Sequence, residues 1–237
     1  MGKKKDIPHL FVTNTTSRPR TDLVTKLADF GIDTDESHIL TPSVAAAQWL
    51  QSNHISTDIA LFVPDATRQE FKQFHLLEET SDQTPSAVVV GDLGDKWNFA
   101  ILNRAFRYLM SQPSPEFIAL GMTRYWQADD GLRLDVAPFI VALEYASGVK
   151  SVVLGKPAKA FFLSALSYLN VEASQTVMIG DDIHSDIQGA QQAGLQAVQV
   201  KTGKFREADL EKGITPDGII DSINDFPQWW DGYLNKL

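Results

Sequence analysis

The sequence has 237 residues, 43% apolar and 22% charged, which rules out a disordered or fibrous chain and leaves a globular protein able to bury about 70% of its unfolded surface. Its 21 Lys and Arg against 30 Asp and Glu give a formal charge of −9, which argues against duplex DNA or an anionic membrane as a partner, since both demand a basic face. With no cysteine, disulfides, thiolate nucleophiles, Cys-ligated zinc and iron–sulfur clusters are excluded, and the cytoplasm is the expected compartment.

Met1–Lys5 is basic, but the only apolar stretch after it, Ile7–Val12, is broken by Pro8 and His9, so no signal peptide is expected. Short apolar runs then alternate with helix-period stretches, the pattern of parallel α/β units. His9–Val12 reads as a strand, followed by a helix over Arg20–Phe30 that Gly31 ends, a short strand at Ile39–Leu40, and a helix from Ser43, its expected N-cap, to Leu50. Strands follow at Ile59–Val63, Ala87–Val90 and Phe117–Leu120, with a helix over Lys96–Met110 and a hairpin turning at Asp129–Asp130–Gly131. After Pro138 come a helix over Phe139–Ala146, a strand at Ser151–Leu154, a helix over Ala158–Leu169, a strand at Thr176–Ile179, a helix over Ser185–Ala193 and a strand at Gln196–Val200. Residues 52–137 are expected to form a segment inserted into an α/β domain made of residues 1–51 and 138–237.

In open parallel sheets ligands bind past the carboxyl ends of the strands, and three such places carry chemistry: Thr13–Asn14–Thr15, Gly155–Lys156–Pro157, and Gly180–Asp181–Asp182 with Asp186. A hydroxyl, an ammonium and a carboxylate cluster are the parts of a phosphoryl-transfer site. Taken singly, each has an ordinary use: Thr13 can open a turn, Lys156 can sit in solvent before a helix, and Asp181 and Asp182 can cap the next helix. Three carboxylates exceed what capping needs, and their oxygens suit a hard cation such as Mg²⁺. His184 lies near the cluster, with exposure at a helix start as its expected place. Arg124–Tyr125–Trp126 could line a pocket, although an aromatic hairpin more often packs. No G-x-S-x-G, Walker-type loop, G-x-G-x-x-G or H-E-x-x-H is present.

Taken in order, Phe11–Val12–Thr13–Asn14, Gly155–Lys156–Pro157 and Gly180–Asp181–Asp182 with Asp186 resemble the second, third and fourth motifs of the haloacid dehalogenase (HAD) superfamily of phosphatases. The resemblance implies a Rossmannoid parallel-sheet core with residues 52–137 as a C2-type α/β cap. It implies that Thr13, Asn14 and Thr15 contact the substrate, that Lys156 and Thr13 serve catalysis, and that Asp181, Asp182 and Asp186 handle Mg²⁺. The substrate would be a small phosphorylated molecule or pyrophosphate, with no nucleic acid or membrane partner and a homodimer allowed. One departure stands out: the family's first motif, a strand followed by Asp-x-Asp that supplies the nucleophile, has no match, because only Asp6 precedes Thr13. The first core strand is therefore expected to be missing. The chain as written then reads either as an inactive phosphohydrolase or as a pseudo-enzyme that binds phosphorylated ligands without turnover.

Overall fold

The computed structural model describes residues 7–55 and 57–234; the basic start Met1–Lys5 and the single early carboxylate Asp6 lie outside the described residues. The chain divides into two compact units, residues 1–155 and 156–237.

In the first unit β1 (Phe11–Val12) pairs in parallel with β2 (Ile39–Leu40), and α1 (Arg20–Asp29) lies between them in sequence. The helix α2 (Pro42–Ser52) is capped by Thr41, whose hydroxyl accepts from the Val44 N–H at 3.3 Å, and not by Ser43. The reason is Pro42: it occupies the first helical position, where a missing N–H costs nothing, and this moves the cap one residue before it.

The middle segment builds its own parallel sheet from β3 (Ile59–Phe62), β4 (Ala87–Val90) and β5 (Glu116–Ala119). Val88, Val89 and Val90 are wholly buried, the mark of a strand covered on both faces. Asn98 caps α3 (Phe99–Leu109) by accepting from the Ile101 N–H at 3.0 Å. The expected hairpin is present as β6 (Tyr125–Ala128) and β7 (Gly131–Leu134). Gly131 has φ +129°, a backbone region that glycine alone visits readily.

After the hairpin come α4 (Ala137–Ser147) and β8 (Val152–Val153). Here the structure departs from the sequence reading, which assigned residues after 137 to the other domain. The strand β8 pairs with β5, Ile118 opposite Val152 and Ala119 opposite Val153. Ile140 and Leu143 of α4 share one apolar cluster with Val88, Val90 and Phe117. Burial of that helix face and the free edge of β5 therefore carry the middle sheet on to Val153.

The second unit holds α5 (Lys159–Leu169), β9 (Val177–Gly180), a π-wound turn at Ile183–Gln188, α6 (Gly189–Gln192), β10 (Gln196–Val200), β11 (Gly218–Ile220) and α7 (Phe226–Leu234). Its three strands are parallel in the order β11–β10–β9, in a different sheet from the middle strands. Two elements, β11 and α7, were not foreseen; a three-residue strand carries no readable alternation. They pack closely, since a Cβ on Gly218 would lie 2.3 Å from the Trp229 indole nitrogen. Among the described residues no helix is long and apolar enough to cross a membrane.

Phe117 is 1% exposed at the centre of the middle cluster. Phe117→Ala should cost about 3–5 kcal/mol in denaturant unfolding; a loss under about 1 kcal/mol would mean that this cluster is not a packed core.

Candidate active site

In the second unit the chain leaves β9 at its carboxyl end as Gly180–Asp181–Asp182 and enters the π-wound turn. Asp182 caps that turn: its Oδ1 accepts from the N–H groups of His184 at 3.1 Å and Ser185 at 2.9 Å. His184 is exposed, as expected from its place at the turn's start. The winding turns Asp186 inward, where it is 4% exposed. Its Oδ1 accepts from the Lys156 ammonium at 2.7 Å and its Oδ2 from the Asp182 N–H at 3.2 Å. The side chains of Lys156 and Asp186 are 11% and 6% exposed, so this pair is a buried one, held in low dielectric where partners matter most.

Two glycines make the arrangement possible. A Cβ on Gly180 would stand 2.4 Å from Asp186 Oδ2, and a Cβ on Gly189 would stand 2.9 Å from Pro157 Cα, next in sequence to Lys156. Neither is a flexible position; each marks a close approach of backbone to side chain or to another segment.

Asp181 is fixed from the neighbouring strand. The loop after β10 brings Lys204 alongside, and its N–H donates to Asp181 Oδ2 at 2.8 Å while its ammonium lies 3.3 Å from Asp182 Oδ2. Gly203 has φ +59°, and a Cβ there would come within 2.0 Å of Asp181 Oδ2. Buried Gln199 of β10 donates to the Asp181 carbonyl at 3.4 Å. Burial works against a charge on Asp182, but the Ser185 N–H and the Lys204 ammonium outweigh it and hold this carboxyl below the ordinary range.

These contacts bear on the predicted metal set. Among the described residues no group of three His, Cys, Asp or Glu is arranged to hold a metal ion. Asp186 accepts from Lys156 and from the Asp182 N–H, and Asp182 caps the turn and faces Lys204. Asp181 Oδ2 is anchored by the Lys204 N–H, and its Oδ1 accepts no hydrogen bond among the described residues, a carboxylate oxygen of the kind that suits a hard cation.

In the first unit Thr13 continues the β1 pairing by donating its N–H to the Leu40 carbonyl at 3.2 Å. Its hydroxyl accepts from the Thr15 N–H at 3.2 Å and lies 2.9 Å from the Thr15 hydroxyl, forming a tight turn at the strand's carboxyl end. Asn14 Oδ1 sits 3.5 Å from where a Cβ on Gly155 would be, beside a backbone that already approaches the Leu120 carbonyl. The expected site residues Thr13, Asn14 and Thr15 thus lie at the end of β1, and Lys156, Asp181, Asp182 and Asp186 around the end of β9. Sequence reasoning missed Gly203 and Lys204, which lie in the loop after β10 and meet Asp181 and Asp182 only in the folded chain.

The profile of haloacid dehalogenase-like hydrolases matches residues 1–76, and a second, HAD-hydrolase-like, matches residues 153–226. Human phospholysine phosphohistidine inorganic pyrophosphate phosphatase is 40% identical over 222 residues, 93% of this chain and 79% of that protein. Human haloacid dehalogenase-like hydrolase domain-containing protein 2 is 40% identical over 227 residues, 96% of this chain and 83% of that protein. Among solved structures, p-nitrophenyl phosphatase from Archaeoglobus fulgidus superposes with a TM-score of 0.83 at 26% identity, covering 93% of this chain and 85% of that one. The chain belongs to the haloacid dehalogenase-like hydrolases, within their phosphatases.

Two outcomes follow from the carboxylates. Gly203→Ala should cost about 1–2 kcal/mol from the left-handed backbone alone, and a structure of the variant should show Asp181 displaced; an unmoved Asp181 would mean that Gly203 does not set its position. Because the Asp182 carboxyl titrates lower in the folded chain, its contribution is fully present above the ordinary value of about 3.9 and disappears as the pH falls through the lower folded value. Wild type should therefore lose stability relative to Asp182→Asn as the pH drops below about 4, which parallel denaturant titrations will read; a constant difference across that range would contradict the assignment.

Proposed function

We propose that this protein is a cytoplasmic, Mg²⁺-dependent phosphohydrolase acting on a small phosphate ester, phosphoramidate or pyrophosphate. The observation that carries the reading is the buried Lys156–Asp186 pair at the carboxyl end of β9, next to an Asp181 whose Oδ1 accepts no hydrogen bond among the described residues. The name of the human relative, with its phospholysine, phosphohistidine and pyrophosphate, supports P–N and P–O–P bonds as the targets.

In this reading the Lys156 ammonium, held in place by Asp186, offsets charge on the phosphoryl group as the bond to the leaving group breaks. Positioning and charge stabilisation of this kind account for most of phosphoryl-transfer catalysis. Thr13 and Asn14 would donate hydrogen bonds to phosphoryl oxygens, and Thr15 would hold the Thr13 hydroxyl in place; these roles rest on the family likeness. Asp181 would hold the Mg²⁺, which when bound neutralises phosphate charge. Asp182 and Asp186 are positioning residues, the first through Lys204 and the turn, the second through Lys156.

The reaction also needs a carboxylate nucleophile, and residues 1–12 offer only Asp6 and no Asp-x-Asp. A second reading, carried by Lys156 and Asp181 without a nucleophile, is binding of phosphorylated ligands without turnover by residues 1–237.

Assays with p-nitrophenyl phosphate and pyrophosphate in Mg²⁺ separate the two. The 237-residue chain should turn over near background, activity should appear when an upstream segment with Asp-x-Asp is joined to it, and Lys156→Ala should then lower kcat by about 10²–10³-fold. If the joined protein still only binds phosphate, the second reading holds. Robust turnover by the 237-residue chain, abolished by Lys156→Ala, would contradict the need for that nucleophile.

A further inference from the structure

The first unit contains a cavity of about 520 Å³ between α3 and residues 79–84. That segment leads into β4, and the last turn of α3 leads into β5, so the cavity lies toward the amino ends of the middle strands. The hairpin and the phosphoryl-transfer residues take no part in it. Its two walls are tied together: the Tyr108 hydroxyl donates to the Ser81 carbonyl at 2.7 Å, and the Arg104 guanidinium donates to the Glu79 carbonyl at 2.7 Å. On the helix side Ala100, Asn103, Arg104, Arg107 and Tyr108 line it, at the spacing that puts residues on one face of a helix.

The helix wall is positive and the facing segment negative. Arg104 lies over the buried Phe62 ring, 4.9 Å from its centroid, and Glu79 Oε2 stands 3.8 Å from its guanidinium. The Arg104 Nε–H is nevertheless buried without a hydrogen-bond partner, a state that native interiors seldom leave unexplained. Arg107 and Asp82 both line the cavity, and neither makes a hydrogen bond or an ion pair among the described residues. The charge of Asp82 reaches the opposite wall: burial pushes the Tyr108 hydroxyl up, Arg104 draws it down, and Asp82 raises it again. Opposite charges that share a cavity without meeting leave room for a ligand that meets both. A simple anion would gain from the arginines but face Asp82 and Glu79, and a simple cation the reverse, whereas a zwitterion gains at both ends. Phe99, which also lines the cavity, is 82% exposed and offers an apolar face beside these charges.

We propose that this cavity binds a zwitterionic α-amino acid with a large apolar side chain, its carboxylate on Arg104 and Arg107, its ammonium on Asp82 and its side chain against Phe99. The site uses none of the residues of the phosphatase reading, so the two stand or fall separately.

Isothermal titration of the full 237-residue chain tests it with four probes: L-phenylalanine, phenethylamine, which keeps only the ammonium, phenylpropionate, which keeps only the carboxylate, and L-alanine, which lacks the ring. Phenylalanine should bind saturably, with each single-charge analogue at least about tenfold weaker and alanine at least about fivefold weaker. Arg107→Gln and Asp82→Asn change exposed side chains; each variant, first shown by thermal melting to fold, should weaken phenylalanine by about fivefold or more. No saturable binding of phenylalanine, equal binding of either single-charge analogue or of alanine, or undiminished binding by either variant would overturn the proposal.

Discussion

The second unit is organised around one interaction, the buried ion pair between Lys156 and Asp186. Taking two charges out of water is expensive, and the attraction offsets that cost only where geometry is tight and the remaining lone pairs are satisfied. Both conditions hold: the contact is 2.7 Å, and the second oxygen of Asp186 accepts the Asp182 N–H. Several neighbouring features follow from this requirement. Gly180 lacks a side chain because Asp186 occupies its space, Gly189 lets the helical segment close on Pro157, and the π-wound turn aims Asp186 inward. Such a turn is rare in helices and recurs at functional sites.

The same loops divide the labour among three carboxylates that look equivalent in the sequence. Asp182 spends its oxygens on the turn and on Lys204, Asp186 on Lys156 and the Asp182 N–H, and Asp181 keeps one oxygen open among the described residues. What separates them is the environment that the adjacent strand β10 brings, through Gln199, Gly203 and Lys204. In a chain of charge −9, two lysines, Lys156 and Lys204, offset part of the negative charge of these acids.

Much of this was legible beforehand because the signals are local. The order of Thr13, Lys156 and Asp181, each just past a short apolar run, identified the strand ends, and the alternation at Tyr125–Leu134 with Asp129–Asp130–Gly131 identified the hairpin. Three things were not legible. The cap of α2 moved to Thr41 because Pro42 takes the first helical position, a competition between two neighbouring residues that both favour helix starts. The strand at Val152–Val153 joined the middle sheet because β5 had an open edge, and pairing partners are a tertiary property that two valines do not encode. The division of hydrogen bonds among Asp181, Asp182 and Asp186 is likewise invisible in a string of aspartates.

The central claim is that Lys156 and Asp186 act as one buried unit, and a double-mutant cycle of Lys156→Met and Asp186→Asn measured by denaturant unfolding tests it most directly. Each single change should cost about 3–5 kcal/mol, because it removes a 2.7 Å charged contact from a buried group. The double variant should cost far less than the two together, for a coupling of about 2 kcal/mol or more. A coupling below about 1 kcal/mol, the range of exposed pairs, would contradict the account.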